Sequence, residues 1–269
     1  MVTNVESQFR KIGAKVTFVK LSDRASSTAG SPVRLDVISK GKEELFEIAV
    51  NEGRDNSLDL SVLEVRTEDR HLVLLARLLD KDGSLISKNH FLCGHDERHL
   101  FVAAVKGVST VSAAKASLKP AEIRARESGQ NEAKRNRRKT SVFRRQGEWF
   151  FVPTPGLVAD EQFVRNDEPL VRPGGGSKAH MAQYAYRVGG ESVMVCSKYP
   201  QGLTLKQYSK LINGTPRAKN YGWREMKRNP TVYVRGKIRH PDHATIVLDT
   251  WHRVLMNTER RTRAVAFLD

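Results

Sequence analysis

The chain has 269 residues, of which 39% are hydrophobic and 28% charged, with a net charge of +16 and a pI of about 10.0. No apolar run approaches the ~18–20 residues of a membrane helix, and residues 1–15 lack the apolar core of a signal peptide. Cys93 and Cys196 are too few and too distant for a disulfide framework, so a cytoplasmic protein without membrane contact is expected.

Charge is unevenly spread. Residues 1–119 hold 18 Lys or Arg against 16 Asp or Glu, whereas residues 120–269 hold 28 against 14. Such asymmetry points to a polyanionic partner, nucleic acid first.

The first half reads as β-rich. Val16 and Phe18, then Val33, Leu35 and Val37, then Phe46, Ile48 and Val50 alternate with polar or small residues, which puts one strand face on a core. Leu58, Leu60 and Val62 continue the pattern, but the phase then flips to Leu63 and Val65, as at a bulge. Leu72 to Leu79 is apolar on both faces except for Arg77 and predicts a central strand. Asp82-Gly83 marks a hairpin turn, and Leu100 to Val105 closes the series.

From Ser109 the pattern becomes helical, with Pro120 suited to a first helical position and Glu122/Arg126 an i,i+4 pair. Glu127 to Thr140 has no apolar residue but Ala133 and predicts a linker or disordered arm. The aromatic segment Val142 to Val152 follows and ends at Pro153. Met181 to Val188 and Ser192 to Tyr199 predict two strands paired as a hairpin through Gly189-Gly190. Leu203 to Ile212 has helical spacing, with Gly214 as a stop. Thr231 to Arg239 and Ala244 to Met256 form a last strand pair.

These elements predict an α+β protein, mostly antiparallel β, with two small β-rich domains joined by a short helical and basic linker. The domains are a near-neutral residues 1–108 and a basic residues 142–269, with residues 109–141 as the helical segment and linker. The near-neutral domain suits protein contacts.

The clearest functional pattern is TVYVRGKIRH, residues 231–240. Tyr233, Arg235, Lys237 and Arg239 share one strand face that carries no acid. Cations neutralise phosphates and an aromatic ring stacks on bases, so this face is a candidate nucleic-acid surface, with RNA or single strands favoured. Tyr184 and Tyr186 share a face with Ala182, where closing a core is the plainer role. The run with Arg135, Arg137 and Arg138 could embrace a phosphate backbone.

Two histidine groups hold residue types that zinc or manganese accepts: His90, His95 and His99 near Cys93, and His240, His243 and His252. Neither matches an established spacing, so no metal and no cofactor are expected. Gly174-Gly175-Gly176-Ser177-Lys178 lacks the spacing of a phosphate loop. Two rivals to the nucleic-acid reading remain. One is a metal- or histidine-dependent nuclease or phosphodiesterase using His240, His243 and His252; the other is a non-catalytic assembly protein.

Overall fold

A computed structural model describes residues 2–20, 33–50, 56–171, 178–259 and 267–268. The chain is α+β and mostly antiparallel β, and it divides into two compact units. The first comprises residues 1–137 and 257–260, the second residues 138–256 and 261–269.

The first unit opens with α1 (Val2–Lys11), which the strand patterning did not anticipate. Its signal is present in Val5 and Phe9, spaced i,i+4 on one helix face, with Ile12 just past its end, and all three are buried. A three-stranded sheet follows, from β1 (Val16–Lys20), β2 (Val33–Lys40) and β3 (Glu43–Val50) in the order β1-β3-β2, with β1 parallel to β3. A second, antiparallel sheet runs in sequence order through β4 (Asn56–Arg66), β5 (His71–Asp80), β6 (Leu85–Asp96) and β7 (His99–Val105). The register of β4 shifts between Val62 and Glu64, where the apolar alternation changes phase.

One core joins α1 to both sheets through Phe9, Phe46, Ile48, Leu72, Leu74 and Cys93. The other face of β5, with Val73, packs with Leu92, Val111 and Ala114, so α2 (Val111–Ser117) covers it. This double burial accounts for the unbroken apolar run of β5. The one charge between Leu72 and Leu79, Arg77, is ion-paired with Asp59 across the ladder.

The segment expected to be an uncovered linker is folded in part. After α3 (Ala121–Arg126), Glu127 is only 2% exposed and meets Lys119 Nζ at 2.7 Å. Lys119 also donates to the Arg135 carbonyl, at the end of α4 (Glu132–Arg135), and Glu132 pairs with Arg66 at 2.8 Å. A search for apolar residues misses this anchor because the buried groups are a charge pair.

In the second unit, β8 (Arg144–Gln146) and β9 (Trp149–Pro153) form a hairpin, followed by β10 (Val164–Leu170) and β11 (His180–Val188). Then come β12 (Glu191–Cys196), β13 (Tyr199–Thr204), α5 (Leu205–Gly214), β14 (Arg224–Arg228), β15 (Thr231–His240), β16 (His243–Met256) and β17 (Phe267–Leu268). One antiparallel sheet has the order β10-β11-β15-β16-β9-β8 and the other β13-β12-β14-β17.

The hairpin expected at Gly189-Gly190 does not form. β11 pairs with β10 and β15, while β12 pairs with β13 and β14. Both glycines have positive φ, 73° and 93°, and carry the chain from one sheet to the other. A Cβ on Gly190 would lie 2.9 Å from the Arg228 carbonyl oxygen. The expected helix starts later than its apolar spacing suggested, because Leu203 belongs to β13 and Thr204 caps α5 in a capping box with Gln207.

The six-stranded sheet curls around its own core of Trp149, Phe151, Leu170, Ala182, Ala185, Val234, Ile238 and Leu248. Trp149 on β9 and His180 on β11 lie roughly three strand spacings apart, or about 14 Å on a flat sheet. Their ring centroids are 6.4 Å apart.

Candidate nucleic-acid interface and histidine cluster

On β15, Val234 and Ile238 are fully buried in the core, so the alternate residues point to the opposite face. Cross-strand pairing extends that face. Tyr186 lies opposite Tyr233, Tyr184 opposite Arg235, and Arg253 opposite Tyr233 on the other side. A register shift between Ala182 and Tyr184 sends Ala182 to the core, so the tyrosines do not share its face as simple alternation implied. The opposing irregularity is Gly236, at φ 82°, where a Cβ would meet Gln183 Oε1 at 2.5 Å. Gln183 Oε1 instead accepts from the Lys237 N–H at 2.9 Å.

β16 contributes a residue that sequence reading missed. Leu248 pairs with Gly236 and His252 with Val234, so Asp249, Thr250 and Trp251 together span Arg235. This bulge turns Trp251 towards Arg235, whose guanidinium carbon lies 4.9 Å from the indole centroid and 5.5 Å from that of Tyr184. Tyr186 lies 6.3 Å from Trp251, centroid to centroid. No signal in the linear alternation reveals Trp251, because the bulge sets its direction.

The cations of the predicted stripe differ in their surroundings. Arg235 lies between rings, and Lys237 is exposed. Arg239 is ion-paired with Asp167 on β10, the strand beyond β11. The strand itself holds no acid, but β10 supplies one from the far side of β11, and Glu168 on β10 likewise meets Arg187 on β11 at 3.1 Å. Arg135 and Arg137 are exposed in the first unit, and Arg138 begins the second.

Of the predicted histidine trio, His240 and His243 come together at the β15–β16 turn, and His252 does not join them. It sits farther along β16, paired with Val234, and its ring Nδ1 meets the Thr250 carbonyl at 2.7 Å. Burial lowers its pKa below the ordinary histidine value. The third member is His180, 1% exposed at the start of β11. One ligand atom from each of His180, His240 and His243 lies within 4.8 Å of the others, the only such group among the described residues. The β11–β15 pairing makes this neighbourhood, and nothing in the linear spacing announces it.

The three rings form a stack. Centroids are 4.1, 4.6 and 5.6 Å apart, with interplanar angles of 26° to 29°. His240 Nδ1 accepts from the Asp242 N–H at 3.1 Å, so its proton sits on Nε2, 3.2 Å from the Lys178 carbonyl. Both nitrogens of His240 are thus committed to backbone. A metal held by three imidazoles would need a neutral nitrogen from each at about 2.0–2.1 Å, which His240 offers only after leaving these bonds. Gly147, at φ 56°, closes over the stack; a Cβ there would lie 3.0 Å from His243 Nε2 and 3.2 Å from His180 Nε2. As arranged, the trio ties the start of β11 to the β15–β16 turn.

The histidines near Cys93 also have separate partners. His95 Nε2 meets Arg70 at 3.0 Å and His99 meets Glu44 at 2.8 Å. Cys93 is fully buried, and that burial pushes its thiol pKa far up, which is wrong for a nucleophile. The Gly174–Gly176 loop lies outside the described residues. No protein-family model, curated protein or solved structure matches the chain.

Proposed function

We propose that the second unit binds single-stranded nucleic acid, RNA or DNA, on the face of the six-stranded sheet around Tyr184, Tyr186, Tyr233 and Arg235. The observation that carries this reading is the placing of Arg235 between Tyr184 and Trp251, with two further tyrosines beside them. Half-buried rings offer π-faces to bases, and cations at their edge meet phosphates. Trp251, 6% exposed, backs Arg235, while exposed Lys237 serves as a phosphate contact. The excess of cations in residues 120–269 supplies the longer-range attraction.

In this reading the near-neutral first unit serves protein contacts. Free Cys93 and Cys196 fit a reducing cytoplasm, and among the described residues no helix is long and apolar enough to cross a membrane. The hydrolase reading has less support, since His252 stands apart from His240 and His243.

The test is fluorescence anisotropy of a labelled oligouridylate across a salt series. Changing exposed Lys237 to Ser should flatten the slope of log affinity against log salt by about 0.7. Changing Tyr233 to Leu should cost about 1–3 kcal/mol with the slope unchanged. A wild-type protein that binds neither RNA nor single-stranded DNA at about 50 mM salt overturns the proposal.

A further inference from the structure

Residues 198–228 hold eight Lys or Arg against one acid, Glu225. They form β13, α5, a 3-10 turn over Pro216–Asn220, and β14. The charge lies around a cluster of four aromatic rings. Trp223 is stacked with Tyr199 at 5.5 Å and 19°, and with Tyr221 at 6.3 Å and 29°. Tyr208 of α5 meets it edge-on at 5.0 Å. None of the four rings is fully buried.

The cluster is fixed from behind. Trp223 Nε1 donates to the Ala218 carbonyl at 2.7 Å, and Ala218 is fully buried. That bond fixes the plane of the half-buried indole, on which Tyr199 and Tyr221 stack. A cluster that served only to seat α5 should be sealed by it, yet α5 has no buried residue and its Leu205 is 49% exposed.

The surrounding cations are available. Lys198 Nζ lies 3.8 Å from the Tyr221 centroid, where a cation–π contact holds it beside the rings. Lys206 and Lys210 are exposed and four residues apart on α5, so they share a face. Arg217 and Lys219 on the 3-10 turn and Arg224 on β14 are exposed too. Among the described residues, Arg228 is the only one of these cations in an ion pair, with Glu191.

From this geometry we propose that the Trp223 cluster is a base-stacking subsite for single-stranded nucleic acid, separate from the sheet face around Arg235. The inference rests on the reading that the second unit binds nucleic acid, and it assigns a second place where bases are held. Ring faces make the contact tolerant of sequence, and the cations track the phosphates. An acidic polypeptide would satisfy the charge but leave the rings without a flat partner.

The experiment uses the full chain and an oligouridylate of about 12 nucleotides, within the range a single binding surface covers. Trp223→Leu should weaken binding about 5- to 150-fold without changing the salt slope. Lys206→Ser with Lys210→Ser should flatten that slope by about 1.4; both positions are exposed, so folding is preserved. Photocrosslinking of a 5-iodouridine oligomer to wild-type protein should map to Tyr199, Tyr221 or Trp223, a readout that needs no variant. Crosslinks confined to the sheet face, with the double lysine variant binding as wild type, overturn this subsite and leave the proposed function standing. Polyglutamate of equal charge competing as well as the oligomer overturns base stacking here. Failure of the wild type to bind any oligomer overturns both.

Discussion

The Lys119–Glu127 pair gives a sharp test of how the first unit is held together. Their side chains are 7% and 2% exposed, 2.7 Å apart, and Lys119 also holds the Arg135 carbonyl. Removing one member strands the other charge away from water, at about 3–5 kcal/mol, against a typical domain stability of about 5–15 kcal/mol. At a urea m-value of about 2 kcal/mol per molar, Glu127→Ala should lower the unfolding midpoint by about 2 M. Lys119→Met with Glu127→Leu removes both charges together and should lose much less than the sum of the single changes. The assay separates the units, because Trp149, Trp223 and Trp251 all lie in the second one. Far-ultraviolet circular dichroism should report the early transition, and tryptophan fluorescence should keep its wild-type midpoint. A midpoint shift under about 0.5 M, or one seen only by tryptophan, would refute the anchoring role and return residues 127–137 to the status of a linker.

Two further outcomes follow from the histidines. Burial holds the pKa values of His90, His95 and His252 below the ordinary value. The unfolded chain therefore takes up more protons as pH falls from about 7 to about 5, and stability should decline over that window; urea midpoints that stay level or rise on acidification contradict this. Because both nitrogens of His240 are committed to backbone, protein purified without a histidine tag should carry no stoichiometric zinc or manganese by elemental analysis. One tightly held ion, lost in His243→Ala, would reverse the structural assignment of the trio and favour the hydrolase.

The sequence alone determined what depends on neighbours along the chain. Alternation located most strands, the double-faced run of β5 announced a covered strand, and the phase flip at Leu63 marked the bulge near Val62. The Tyr233–Arg239 face was legible for the same reason, since side chains alternate on a strand whatever lies beside it. Pairing and its irregularities were decided only in three dimensions. Which strands β11 and β12 joined, the turning of Trp251 onto Arg235, and the meeting of His180 with His240 and His243 all depend on partners distant in sequence. Period-two alternation fixes the faces of a strand but not its neighbour, and one bulge shifts every side chain beyond it. Burial of Lys119 with Glu127 was hidden for a different reason. A charge is buried when a matching charge arrives from elsewhere in the fold, and composition read along the chain records only that both are polar.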